Sequence, residues 1–235
     1  MARDLRKSGT GKADADITEF LNKVKNTPAP HTGSGKGRLL FALDATASRQ
    51  PTWDHACHIQ REMFDEAAKV GSLSLQIAFF RGFGEFKATP WSDNSKSLTG
   101  PMSRVSCLGG HTQIERVLNH ALKQHAAKPI NAVVYVGDCM EEDVDTLCHL
   151  AGKMGLQKIP LFIFQEGRDP LAENAFRQMA RLSGGAYHHF DGSSAHMLKA
   201  LLNAVAVYAA GGRKALLNYS KSRNKQAAAL LTQIK

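Results

Sequence analysis

GRLLFALDATASRQ, residues 37–50, is the stretch on which the fold turns. Leu39 to Leu43 form a short unbroken apolar run, the pattern of a strand buried on both faces. The run ends in a carboxylate, Asp44, and two hydroxyls follow at even spacing, Thr46 and Ser48. Residues two apart on a chain leaving a strand face one side, so the carboxylate and the hydroxyls share a target.

Working outward, the same kind of run recurs in SLSLQIAFF (72–80), in the segment 131–138 ending VVYVGD, in IPLFIFQ (159–165) and in AYHHF (186–190). Between the runs lie segments long enough for several helical turns: TWDHACHIQREMFDEAAKV, TQIERVLNHALKQHA, EEDVDTLCHLAGKMG and PLAENAFRQMARLSG. Strand and helix in alternation predict an α/β protein, a Rossmann-like doubly wound and mostly parallel sheet with helices on both faces. Pro90 and Pro101 make a short edge strand and an exposed loop of 85–106, and SSAHMLKALLNAVAVYAA predicts a last packing helix before Gly211 and Gly212.

The chain has 235 residues with 43% hydrophobic content, enough for one large domain with a real core. No apolar run approaches the roughly 18 residues of a membrane span, and the charged start lacks a secretory stretch, so the expected location is the cytoplasm. Cys57, Cys107, Cys139 and Cys148 show no zinc-type spacing and read as reduced thiols. The net charge of +9 lies in the ends: residues 1–37 carry seven Lys or Arg against four acids, residues 211–235 six against none, and 38–210 seventeen of each. Three regions follow: a basic extension with a short helix and a Gly/Ser linker over 1–37, the α/β domain over 38–210, and a basic helical extension over 211–235. Basic ends can attract polyanions weakly, though a charged terminus is commonly just a solvated one.

Ligands of such folds bind at the carboxyl ends of the strands. Asp44, Thr46 and Ser48 stand there after the first strand, Asp138 stands there after another, and Thr112 follows Gly109 and Gly110 where a helix begins. All five are hard oxygen donors that suit a small divalent cation. Each has a plain structural alternative: Asp44 and Ser48 capping the next helix, Thr112 capping its own, Asp138 closing a turn.

DATAS, then GGHT, then VYVGD resembles the von Willebrand factor type A (VWA) domain, whose metal-ion-dependent adhesion site uses D-x-S-x-S, a separate Thr and a separate Asp in this order. The resemblance covers about residues 38–210. It implies that Asp44, Thr46, Ser48, Thr112 and Asp138 hold Mg²⁺ or Mn²⁺, the hydroxyls directly and some carboxylates through water. It also implies a protein partner that presents an Asp or Glu to the metal. Intracellular bacterial-type members of the family serve as adaptors in assemblies, often beside ATPases, and that is the setting the resemblance suggests. Two positions depart from the pattern: Thr46 replaces a Ser, and Cys139 follows Asp138 where the family often has Gly.

No base or nucleophile stands evidently beside the five donors, so a binding module is expected and not an enzyme. The rival is a haloacid-dehalogenase-like phosphohydrolase, with Asp44 as nucleophile and GDCMEED (137–143) as its late acidic metal motif. That chemistry needs an acid two residues after the nucleophile, where Thr46 stands. HTGSGKGR (31–38) has Gly37 where a phosphate loop needs Ser or Thr, and precedes its strand. His55, Cys57 and His58, with Cys148 and His149, do not define a tetrahedral metal set, and His188 and His189 point to opposite faces of a strand. At the ends, Ile17, Phe20, Leu21 and Val24 form the stripe of a short helix that packs on the domain or on a partner, and 213–235 has apolar ends around a basic middle.

Overall fold

The computed structural model describes residues 18–20, 22–24, 26, 27, 36–52, 73–94, 105–190, 201–212, 215, 216 and 218. The expected helix over 52–70 and its His55, Cys57 and His58 lie outside them, except for Thr52.

The apolar runs are strands: β1 (Gly37–Asp44), β2 (Leu73–Arg81), β3 (Glu85–Ala88), β4 (Ala132–Gly137), β5 (Leu161–Glu166) and β6 (Tyr187–Phe190). Their order in the sheet is β3-β2-β1-β4-β5-β6. All neighbours are parallel except β3, which runs antiparallel along β2 at one edge. Every residue of β1 is buried. Alternation sorts its side chains, with Leu39, Phe41 and Leu43 on one face and Leu40 and Ala42 on the other.

Helices cover both faces, as the alternating pattern requires. α1 (Ile114–Ala127), α2 (Val144–Leu156) and α3 (Pro170–Ser183) pack on the Leu40 face through Ile114, Val117, Leu147, Met154, Phe176 and Met179. The Leu39 face is covered by the helical residues 201–212, with Leu201, Val205 and Tyr208 inward. The amphipathic N-terminal stretch packs on this same core: Phe20 and Val24 are buried, and the Phe20 ring lies 5.5 Å from Phe164 and 5.8 Å from His188. Leu216 is buried in that layer too. No helix among the described residues is long and apolar enough to cross a membrane.

This strand order positions the site. From β1 the chain goes to β2 on one side, then returns to place β4 on the other. The connections diverge there and open a crevice at the carboxyl ends of β1 and β4, where Asp44 and Asp138 sit. The loop carrying GGHT is stitched beside the same end: Leu108 N donates to Ala45 O at 3.1 Å, and Gly82 N donates to Leu108 O at 3.3 Å. Gly110 allows this approach, since a Cβ there would lie 2.1 Å from the backbone of Gly82.

Candidate metal centre

Asp44 is the last residue of β1 and is fully buried. Its Oδ1 accepts from Thr46 N at 2.7 Å, while its buried Oδ2 has no hydrogen-bond partner. Local capping therefore uses one carboxylate oxygen and leaves the other. Thr46 Oγ1 and Ser48 Oγ are 3.0 Å apart, so the two hydroxyls do share a side. A 3₁₀ turn (Ala47–Thr52) carries Ser48 to the surface and turns Arg49 inward.

Asp138 follows β4, its Oδ1 accepting from Cys139 N at 3.0 Å. One atom each of Asp44, Asp138 and Cys139, two carboxylate oxygens and the thiol Sγ, lie within 4.8 Å of one another. Gln165 Nε2 holds this loop by donating to Asp138 O at 3.2 Å, and Tyr187 OH in turn donates to Gln165 Oε1 at 2.7 Å.

Thr112 is buried on the adjoining loop and is tied to the Asp138 loop. Its Oγ1 accepts from Glu141 N at 3.1 Å, and its own N–H donates to Glu141 Oε2 at 3.1 Å. The alternative in which Thr112 caps its own helix fails. α1 starts at Ile114, its N-cap position is Gln113 with no side-chain cap, and the N–H groups of Ile114 and Glu115 donate to Glu142 at 2.7 Å each. A carboxylate reaching from the next loop satisfies the helix end better than a hydroxyl, because charge adds to the hydrogen bonds. The last three acids of GDCMEED thus have structural partners: Glu141 holds the loop at Thr112, Glu142 binds the α1 end, and Asp143 caps α2 by accepting from Thr146 N at 2.8 Å.

The electrostatics follow from burial. Desolvation pushes the Asp44 carboxyl up to about 6; its hydrogen bonds from Thr46 pull it down, the Asp138 charge raises it and Arg49 lowers it. Desolvation pushes the Cys139 thiol up to about 12, with the Asp138 and Asp44 charges adding to the rise and a Ser48 hydrogen bond opposing it. Arg49 is fully buried, donates to Val136 O at 3.2 Å and pairs with Glu166 at 3.0 Å. Sequence reasoning did not single out Arg49, or Glu141 and Glu142 by themselves. The signal for the two glutamates was the acidic run GDCMEED, which did not say which acid binds a helix end.

The donors fit a divalent cation. An orphaned buried carboxylate oxygen, a second carboxylate nearby and two adjacent hydroxyls are hard ligands whose like charges a cation would relieve. Elsewhere the temptations dissolve: on α2 Cys148 is half-buried against the core and His149 is exposed, while His188 is buried against Phe20. Cys107, Cys139 and Cys148 are free thiols.

Sheet order and crevice are those of a doubly wound α/β fold. No family model matches the sequence, and no curated protein does. Solved structures do match. An aerotolerance-related membrane protein from Bacteroides fragilis is 15% identical over 71% of this chain and 98% of that one, with a TM-score of 0.56. The VWA domain of SpRpn10 is 12% identical over 71% and 94%, with a TM-score of 0.58. A von Willebrand factor type A protein from Catenulispora acidiphila is 13% identical over 74% and 43%, with a TM-score of 0.59. The chain has the VWA fold.

Proposed function

We propose that this protein is a divalent-metal-dependent protein-binding module, an adaptor or assembly factor that captures an acidic residue of a partner. Asp44, Thr46, Ser48, Thr112 and Asp138 hold the ion, Mg²⁺ or Mn²⁺, and the ion when bound supplies a positive charge to which a partner's Asp or Glu adds. The observation that carries the reading is Asp44 Oδ2, buried and unpartnered beside a second carboxylate. Asp44 and Asp138 bind, the Thr46 and Ser48 pair turns two hydroxyls the same way, and Glu141 keeps the Thr112 loop against the Asp138 loop. Around this end the surface is partly apolar: Phe83, 82% exposed, packs its ring 5.2 Å from His111, and Leu108 is 52% exposed. Exposed apolar side chains beside a charged centre suit a protein ligand better than a small solute. A cytoplasmic setting beside an ATPase-containing assembly remains part of the proposal, on family likeness alone.

The test is a pull-down from native extract with the tagged protein in Mg²⁺, in chelator and with Asp44→Ala. A partner retained only by the unmodified protein in Mg²⁺ supports the reading. Partners retained equally in all three arms would overturn it.

A further inference from the structure

We propose that Cys139 is itself a ligand of this centre, so that the site, besides holding Mg²⁺ or Mn²⁺ through its oxygens, also takes a thiophilic divalent cation, Zn²⁺ or Co²⁺, through sulfur as well as oxygen. The inference rests on the metal-binding reading above and adds the identity of the ligand atom and the class of ion. It starts from the three-way proximity: the Cys139 Sγ and one oxygen each of Asp44 and Asp138 are mutually within 4.8 Å. Two ligands of a tetrahedral ion, with bonds of about 2.0–2.3 Å, stand roughly 3.3–3.8 Å apart, inside the 4.8 Å within which these three atoms lie. Closure of about an ångström at most by each side chain brings all three onto a common centre.

A cysteine near carboxylates is no site by itself, but here an independent observation points to a ligand. Asp44 is fully buried and its Oδ2 has no hydrogen-bond partner, although the thiol and Asp138 are its neighbours. A buried anionic oxygen without a partner is costly, and a cation between it and the sulfur removes that cost. The sulfur stands with the two carboxylates at the carboxyl ends of β1 and β4, among the proposed ligands and not behind them. Cys139 is only half-buried, which leaves an ion a way in.

The ligand chemistry then selects the ion. Mg²⁺ demands near-octahedral oxygen ligands and gains little from sulfur, whereas Zn²⁺ and Co²⁺ bind thiolate strongly. Asp44, Asp138, Cys139 and one hydroxyl of the Thr46 and Ser48 pair make a four-ligand set of mixed oxygen and sulfur. As the sulfur bonds the ion, its proton leaves to solvent. Neither other described cysteine competes, since Cys107 packs against the Leu39-face core and Cys148 against the opposite one.

The experiment titrates Co²⁺ into the unmodified full-length protein, into Cys139→Ser, and into a Cys57→Ser, Cys107→Ser, Cys148→Ser variant that keeps only Cys139, under a non-thiol reductant. The readouts are the near-ultraviolet thiolate-to-Co²⁺ absorption band, its displacement by Zn²⁺, and the melting shift in Mg²⁺. A saturable band in the unmodified protein and the single-cysteine variant, absent in Cys139→Ser, is expected. Cys139→Ser should also weaken Zn²⁺ by at least the roughly 10–100-fold that loss of an outer-shell partner commonly costs. Its Mg²⁺ melting shift should persist. Co²⁺ bound without a thiolate band, or Zn²⁺ bound equally by Cys139→Ser, overturns the sulfur ligand, while a persisting Mg²⁺ shift leaves the oxygen site standing. No response to either ion overturns both. Should the triple variant not fold, the unmodified protein against Cys139→Ser decides alone.

Discussion

Asp44→Asn should stabilise the metal-free protein at pH 8. The Asp44 carboxyl is fully buried, and burial and the Asp138 charge raise it from 3.8 to about 6 against its Thr46 hydrogen bonds. The sign follows from linkage. A carboxyl whose folded value is raised binds its proton more tightly when folded, so its destabilising effect is absent below about 4, grows as pH rises from about 4 to about 6, and levels off above that. A shift of that size corresponds to roughly 3 kcal/mol of destabilisation at pH 8. Asparagine keeps an acceptor for Thr46 N and removes the charge, but its amide still has to be buried. The net gain is on the order of 2 kcal/mol. For a chain of this length that is a melting temperature about 4–8 °C higher. The assay is thermal melting in chelator from pH 8 to pH 4, with Asn against Asp. The advantage should shrink as pH falls below about 6 and be nearly gone near 4. An Asn variant that melts lower than the unmodified protein at pH 8 in chelator would refute the argument, because Asp44 would then be stabilising as an anion without any cation.

Other outcomes follow from the same geometry. Mg²⁺ at about ten times its dissociation constant should stabilise the unmodified protein by roughly 1.4 kcal/mol, a melting rise of about 3–6 °C that Asp44→Ala abolishes; calorimetric scans with and without metal check it. Glu142→Ala removes both acceptors of the α1 N–H groups and should cost about 1–2 kcal/mol in urea unfolding, equally with and without metal. Phe83→Ala should weaken capture of a metal-dependent partner while leaving the Mg²⁺ melting shift unchanged, which parallel pull-down and melting measurements test. Replacing Lys221, Arg223 and Lys225 by Gln should lower the salt slope of any polyanion binding by about 2–3, read from heparin or duplex titrations at several ionic strengths.

The strands and helices that the structure describes were legible in the sequence because their signals are local. Apolar runs such as Leu39 to Leu43 can be satisfied only by burial on both faces, and helices between successive runs make the sheet parallel whatever the detailed packing. The donor types at the strand ends were legible for the same reason, since a strand's alternation fixes which way Asp44 and its successors leave it. Beyond the strand that rule stops. Asp138 and Cys139 are consecutive, and a continued strand would send them to opposite faces; β4 ends at Gly137, and the loop that follows brings both to Asp44. The sequence singled out Asp138 by its place after a strand, but what Glu141, Glu142 and Asp143 bind was not legible, because the answer depends on α1 starting beside that loop. The same holds for Arg49, whose partner Glu166 ends a strand on the far side of β4. An amphipathic stripe announced that Phe20 and Val24 would be covered. Only the tertiary structure chose Phe164 and His188 to cover Phe20, since a stripe specifies how much apolar surface must be buried but not against what.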